Sequence, residues 1–317
     1  MQSAEVTAVP VLAGWQQVHQ PVLLQHQVEL WVYQLNTAIP QLSGNKWLKL
    51  KYHIALAQQA QKAGFLTFGG AFSNHLAAVA AMCKYHGLKS LAYVRADQLD
   101  KHNPTLAFCL QQGMQIQLLN RNQYRWRNDA DFLLQLQQQH QHLLIVPEGG
   151  SSIAGAMGVA ELDLDLTPAG NASHIICAAA SGGTLAGVIN GSGCKILGIA
   201  VVKDPSLPDR ITQLLQSDDK QQHWSLNTDF CGAGYARFDN SILQFCRDMA
   251  QQRLYLEPIY TGKALAGVFT LIKRGYFPPG SRLSFFHTGG LQGLAGLHYR
   301  NLITTADFAL LSGSSAG

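Results

Sequence analysis

Charge is scarce in this chain. Asp, Glu, Lys and Arg make up 13% of its 317 residues, about half the usual share. The formal net charge is +4, and the basic residues are scattered. No dense basic block marks a nucleic-acid surface. No apolar run reaches the ~18 residues of a membrane span. The opening MQSAEVTAVPVLAGW has neither a basic n-region nor a sustained apolar stretch, so no secretory signal is expected. Cys83, Cys109, Cys177, Cys194, Cys231 and Cys246 contain no CxxC pair. They are expected to be buried thiols in a reducing compartment, with no metal site. A cytoplasmic location follows by default.

Apolar residues, in contrast, make up 47% of the chain. That composition fills a large core and excludes disorder. The length exceeds what one core usually holds, so two lobes are expected. Gln135–Gln141 reads as an exposed helix face or turn, and Ser312–Gly317 as a mobile tail.

Apolar runs alternate with helical patterns along the middle of the chain. Helices are expected at Leu50–Ala63, Asn74–Tyr85, Pro104–Gln112 and Asp129–Gln138. Strands are expected at Phe65–Phe68, Ser90–Val94, Gln115–Leu119 and Leu143–Val146. The pattern resumes with strands at Ile175–Ala179, Lys195–Val201 and Arg282–Phe286. Helices are expected from Thr184 through Ile189, at Ser241–Gln251 and at Lys263–Lys273. This alternation implies mostly parallel sheets covered by helices. The smaller α/β lobe is expected to run from about Leu50 to about Ala156, inserted into a larger lobe made of 1–49 and 157–317.

Four groups of residues are candidates for chemistry. Ser43-Gly44-Asn45-Lys46-Trp47-Leu48-Lys49-Leu50 puts a lysine beside a Gly-Asn turn at the mouth of a helix, with a second lysine one helical turn on. A cationic neighbour lowers an amine's pKa and makes it a better nucleophile. Alone, the segment reads first as an exposed helix start with two solvated lysines. Gly69-Gly70-Ala71-Phe72-Ser73-Asn74-His75 is a glycine turn between strand and helix. Ser73 fits a helix N-cap there, or faces a ligand at the strand ends together with Asn74. His75 reads as a structural residue rather than a base.

Ala180-Ser181-Gly182-Gly183-Thr184 follows a strand and opens a helix. Free N–H groups, glycines and hydroxyls suit a phosphate, or simply make a tight turn. Neither a Walker loop nor G-x-G-x-x-G is matched. The fourth group is C-terminal: Gly232-Ala233-Gly234-Tyr235, Glu257-Pro258-Ile259-Tyr260-Thr261-Gly262-Lys263 and His287-Thr288-Gly289-Gly290. Each is a polar turn at the edge of an apolar element.

Taken together and in this order, the groups resemble the 1-aminocyclopropane-1-carboxylate deaminase / D-cysteine desulfhydrase family, from about Ser43 to about Gly293. The resemblance implies a tryptophan-synthase-β-like fold of two three-layer α/β/α lobes and the cofactor pyridoxal 5′-phosphate. It implies that Lys46 holds the cofactor as a Schiff base and acts as the base at the substrate α-carbon. Lys49 and Ser181, Gly182, Gly183 and Thr184 would hold the phosphate, and Asn74 the cofactor 3′-oxygen. Ser73, Tyr235 and Tyr260 would surround the substrate, with Ser73 near its carboxylate. Thr261 would face the pyridine nitrogen, with Thr288 near it.

The family usually carries an Arg/Lys-Glu-Asp segment and a longer loop before GNK, where this chain has Val32–Ala38. Ring-opening members carry Glu and Leu where this chain has Thr261 and Thr288. The resemblance therefore points to β-elimination from a small amino acid, D-cysteine first. Ring-opening deamination of 1-aminocyclopropane-1-carboxylate and a non-catalytic cofactor-binding role remain as alternatives. A homodimer is expected on general frequency.

Overall fold

The structure, a computed structural model, describes residues 9–217, 223–232, 234 and 236–314. In chain order it begins with β1 (Val11–Gln17), α1 (Pro21–Gln25), β2 (Glu29–Thr37) and α2 (Asn45–Gln59). Next come β3 (Gly64–Gly70), α3 (Asn74–Tyr85), β4 (Lys89–Arg95), α4 (Pro104–Gln111), β5 (Gln115–Leu119), α5 (Ala130–Gln139) and β6 (Leu143–Val146). They are followed by α6 (Ile153–Ala160), β7 (Leu166–Thr167), β8 (Gly170–Asn171), β9 (His174–Ala179), α7 (Gly183–Gly191) and β10 (Lys195–Ala200). The last elements are α8 (Leu207–Thr212), β11 (Trp224–Asn227), α9 (Asn240–Ala250), α10 (Thr261–Lys273), β12 (Arg282–His287), α11 (Gly293–Tyr299) and α12 (Thr305–Leu311).

Side chains alternate across a strand, and here successive residues feed different cores. Ile175, Cys177 and Ala179 of β9 join a central apolar cluster with α2, α3, α6 and α7. Ile176 and Ala178 join a second cluster with α9 and α10. Likewise Phe65, Ala92 and Val94 face the central cluster, whereas Leu66, Phe68, Leu91 and Tyr93 face a third one on the outer side. Strands buried on both faces read as continuous apolar runs, which is how parallel sheet announces itself.

The strands assemble into two main sheets. One has six strands in the order β1-β2-β12-β9-β10-β11, parallel except for the antiparallel β1 edge. The other has four parallel strands in the order β5-β4-β3-β6. A short antiparallel pair joins β7 to β8. The fold is the expected mixed α/β architecture with mostly parallel sheets.

Differences from the sequence reading have local causes. The helix expected from Leu50 begins at Asn45, so the two lysines lie in its first turns. The segment before it, where no element was expected, forms β1, α1 and β2. β1 is an edge strand with four exposed residues, so its apolar alternation is weak. α6, Ile-Ala-Gly-Ala-Met-Gly-Val-Ala, has no polar stripe to mark a helical period. Of the tail, 315–317 lie outside the described residues. All six cysteines are free; five are buried and Cys194 is half-buried.

α6 also locks α2 in place. A Cβ on Gly158 would stand 1.9 Å from the carbonyl oxygen of Leu48. Only glycine permits that approach of two helices. His53 ties the same pair: its Nδ1–H donates to the Lys49 carbonyl at 2.8 Å, and its Nε2 accepts from Ser152 at 3.0 Å. Ser152 in turn caps α6. Gly158→Ala is therefore expected to lower unfolding stability by about 3 kcal/mol, the upper range for overpacking. Chemical denaturation measures it.

Candidate active site

The carboxyl ends of parallel strands are where α/β proteins collect ligands. Here both sheets turn those ends toward one cavity of about 470 Å³. β3 delivers Gly70 and the Ser73–His75 turn, β4 delivers Arg95, and β6 delivers Glu148 and Gly149. From the larger sheet, β9 delivers Ala180–Gly182, β10 leads to Val202–Asp204, and β12 to Thr288–Gly290. Lys46 and Lys49 reach the cavity from the start of α2.

The start of α2 is positioned by the far end of the chain. Gly44 has φ +72, and a Cβ there would stand 2.3 Å from the Thr288 carbonyl oxygen. Asn45 N–H donates to that same carbonyl at 3.1 Å. Asn45 Nδ2 donates to Thr184 Oγ1 at 2.8 Å, while its Oδ1 accepts from Lys46 Nζ. One amide thus links the lysine to the start of α7.

Lys46 is half-buried and Lys49 is 1% exposed. Burial pushes the Lys46 amine down to about 8, opposed by the negative charge of Glu257. Burial, and then the neighbouring Lys46 charge, hold Lys49 well below the usual lysine range. Lys49 Nζ donates to Ser151 Oγ at 3.0 Å and Ser181 Oγ at 3.4 Å, and Ser151 donates to Ser181 at 2.6 Å. Lys49, buried and facing two serine hydroxyls, makes a cradle suited to an oxyanion.

His75 is 3% exposed, and its tautomer follows from its neighbours. Thr67 gives its hydroxyl proton to the Val146 carbonyl at 2.7 Å, so it accepts from His75 Nε2 at 2.8 Å. Nδ1 is left as a buried acceptor without a protein partner. Burial, then the Lys49 and Lys46 charges, hold this imidazole neutral.

Most residues singled out in the sequence converge. Lys46, Lys49, Ser73, Asn74, Ser181, Gly182, Thr184, Tyr260 and Thr288 all line the cavity. Gly183 does not line it; a Cβ there would meet Ser151 at 2.9 Å. Thr261 is fully buried off the cavity, and its hydroxyl donates to Glu257 at 3.1 Å. Tyr235 lies outside the described residues. Lys263 of the same motif is structural: its Nζ donates to the carbonyls of Val201 and Cys231.

Other functional groups carried no assignment from sequence. Ser151 follows Glu148-Gly149-Gly150, a strand–glycine–serine pattern like that at Gly69–Ser73, which could have flagged it. Glu257 is 2% exposed and accepts N–H bonds from Ile259, Tyr260 and Thr261, capping the start of α10. Burial nevertheless raises its pKa to about 7. Tyr124, Arg127, Arg95, Asp204 and Arg210 also line the cavity. Their charges pair in part: Arg127 with Glu148 at 2.6 Å, and Arg210 with Asp204 at 2.6 Å.

Strand ends converging on a lysine pair, with a hydroxyl-and-glycine cradle beside it, define a cofactor-dependent α/β enzyme. The chain belongs to the PALP family of pyridoxal-phosphate dependent enzymes, whose model matches residues 21–289. It is 28% identical over 301 residues to the bifunctional D-cysteine desulfhydrase/1-aminocyclopropane-1-carboxylate deaminase, mitochondrial, of Arabidopsis thaliana, covering 86% of this chain and 74% of that protein. It is 26% identical to a D-cysteine desulfhydrase of Serratia proteamaculans, covering 81% and 85%. Its structure resembles that of an ACC deaminase homologue with a TM-score of 0.73 at 20% identity, covering 96% and 95%. Among the described residues, no helix is long and apolar enough to cross a membrane.

The donor set fits pyridoxal 5′-phosphate. Buried Lys49 with Ser151, Ser181 and the start of α7 suits a phosphate, and the amine of Lys46 is available for a carbonyl. Covalent attachment needs that amine neutral, so uptake of cofactor by cofactor-free protein should accelerate as pH rises through about 8. Glu257→Gln removes the charge that raises Lys46, so the midpoint should move to lower pH. Rapid-mixing absorbance across a pH series reads both; a midpoint at the ordinary lysine value contradicts the burial argument.

Proposed function

We propose that this enzyme is a lyase that removes the β-substituent of a small amino acid with deamination. D-cysteine, giving pyruvate, sulfide and ammonia, is the first candidate. The observation that carries this reading is the polar wall facing Lys46: the hydroxyls of Ser73, Tyr260 and Thr288 line the cavity, while the nearby carboxylate, Glu257, is turned away into the start of α10. The names of the Arabidopsis and Serratia relatives support it.

When bound, the cofactor supplies the electron sink that stabilises negative charge at the substrate α-carbon. This chain's residues do the rest. Lys46 holds the cofactor and then, as a neutral amine, takes the α-proton. Lys49, Ser181, Gly182, Gly183 and Thr184 hold the phosphate, with Ser151 added to that set. Asn74 orients the ring oxygen, and Ser73 and the start of α3 receive the substrate carboxylate. Tyr260 closes the opposite side, and Tyr235 keeps its proposed place near the substrate. Thr288 offers a neutral hydroxyl to the pyridine nitrogen, with Thr261 behind it bonded to Glu257.

A hydroxyl leaves that nitrogen unprotonated and the sink weaker than a carboxylate would. A thiol with a pKa near ~8.5 leaves readily enough for such a sink. A carbon leaving group does not, which disfavours ring opening of 1-aminocyclopropane-1-carboxylate. The reading includes a cytoplasmic homodimer, supported by general frequency.

A panel of small D- and L-amino acids, read as keto acid released, tests the function. Pyruvate and sulfide from D-cysteine are expected, and Lys46→Ala should lower turnover by ~10²–10⁴-fold. Borohydride reduction followed by peptide mapping should label Lys46. Ready formation of 2-oxobutyrate from the cyclopropane substrate supports the deaminase alternative. Cofactor binding with no keto acid from any substrate supports the non-catalytic one.

A further inference from the structure

The wall of the cavity formed by the smaller sheet carries a cation that the proposed chemistry does not use. Arg95 is the last residue of β4, next to the strand that ends in the Ser73 turn. Its Nη2 lies 3.6 Å from where a Cβ on Gly70 would stand, so the guanidinium hangs over the glycine turn and lines the cavity. It is exposed, whereas Ser73 is half-buried, so it stands outward of the place proposed for the α-carboxylate.

Its guanidinium lies over an aromatic ring. The guanidinium carbon sits 5.5 Å from the centre of the Tyr124 ring, and that of Arg127 sits 4.9 Å from the same ring. Tyr124 is 3% exposed and donates its hydroxyl to Glu148 at 2.8 Å. Glu148 also takes the charge of Arg127 at 2.6 Å. Among the described residues, no carboxylate is within ion-pair distance of Arg95. The two carboxylates that line the cavity, Glu148 and Asp204, already have arginine partners. The place proposed for the cofactor phosphate is the cradle of Lys49, Ser151 and Ser181, which does not include Arg95. Arg95 therefore lines the cavity with its guanidinium over the Tyr124 ring and able to form a forked bond to an oxyanion.

We infer that Arg95 is a specificity residue that binds an anionic group on the β-substituent of the substrate. The preferred substrate is then a small amino acid with two acidic groups, an α-carboxylate held at Ser73 and a distal oxyanion held at Arg95. This inference rests on the lyase reading and narrows it: cysteine, neutral at its β-position, is turned over less well than an analogue with an anionic leaving group. For O-sulfoserine the balance is simple. The α-proton passes to Lys46, and the Cβ–O bond breaks with its electron pair leaving on sulfate. Water then hydrolyses the released aminoacrylate to pyruvate and ammonia. No oxidant or reductant is needed.

The test compares O-sulfoserine with β-chloroalanine, whose leaving group is uncharged in the substrate, using both enantiomers of each and measuring kcat/KM from pyruvate release. In Arg95→Gln the ratio of O-sulfoserine to β-chloroalanine should fall by ~10- to 100-fold, the scale of a charge-assisted hydrogen bond. Arg95→Lys should restore part of it. An unchanged ratio overturns the inference, including the case in which both substrates lose activity together because Arg95 holds the α-carboxylate or merely supports Tyr124. Calorimetric titration of cofactor-loaded protein with aspartate and alanine, again as both enantiomers, reads the same subsite without turnover. Tighter aspartate binding that is lost in Arg95→Gln, with no pyruvate from either elimination substrate, keeps the anion subsite and removes the lyase reading. Equal binding of the two amino acids in the unmodified protein overturns the subsite.

Discussion

Two amines one helical turn apart cannot both stay charged in a site walled off from water unless something negative meets them. Lys46 and Lys49 are such a pair at the start of α2, and the surrounding structure is arranged around their repulsion. Lys49 is met by the Ser151 and Ser181 hydroxyls, dipoles without charge, so its affinity for an oxyanion is kept. Lys46 feels the Glu257 carboxylate, yet its own hydrogen bond goes to the neutral Asn45 amide. The same physics divides the roles. The deeper amine, with hydroxyl company, suits a phosphate, and the half-exposed one, lowered to about 8, suits reaction at neutral pH.

That arrangement needs distant segments to meet at close quarters. The Gly44 turn rests on the Thr288 carbonyl, and α6 rests its Gly158 on the Leu48 carbonyl. The two lysines are thus clamped between the last strand of the larger sheet and a helix that follows the last strand of the smaller one. A displacement of either clamp moves both amines together, because they share one short stretch of α2.

The parallel strands and their helices were legible because they are buried on both faces or amphipathic. Asn74–Tyr85, Gln115–Leu119 and Leu143–Val146 coincide with α3, β5 and β6. The candidate site was legible where the chemistry sits at a glycine turn after a strand, as at Ser73 and Ser181. It was opaque where a residue works through geometry that spacing does not encode. Glu257 was visible in its motif, but nothing in the sequence says that its carboxylate folds back onto three following N–H groups. Arg95 carried no reading, lying just past the strand expected at Ser90–Val94, and only the pairing of β3 with β4 puts it beside the Ser73 turn. The N-terminal β1 was missed because an edge strand has one face in water and little apolar contrast to show.

Glu257 shows how a fold can keep a buried carboxylate close to a cavity while its oxygens are engaged elsewhere. Its oxygens are engaged by the N–H groups of Ile259, Tyr260 and Thr261 and by the Thr261 hydroxyl, so they point into the first turn of α10. Burial makes its charge costly, and the backbone donors hold the pKa to about 7 rather than letting it climb further. Its negative charge still acts on Lys46 through space. Thr288, neutral at every working pH, is among the hydroxyl residues that line the cavity. The carboxylate acts on the Lys46 amine through space, while the Thr288 hydroxyl stays neutral on the cavity wall, so charge and neutral hydrogen bonding come from different residues.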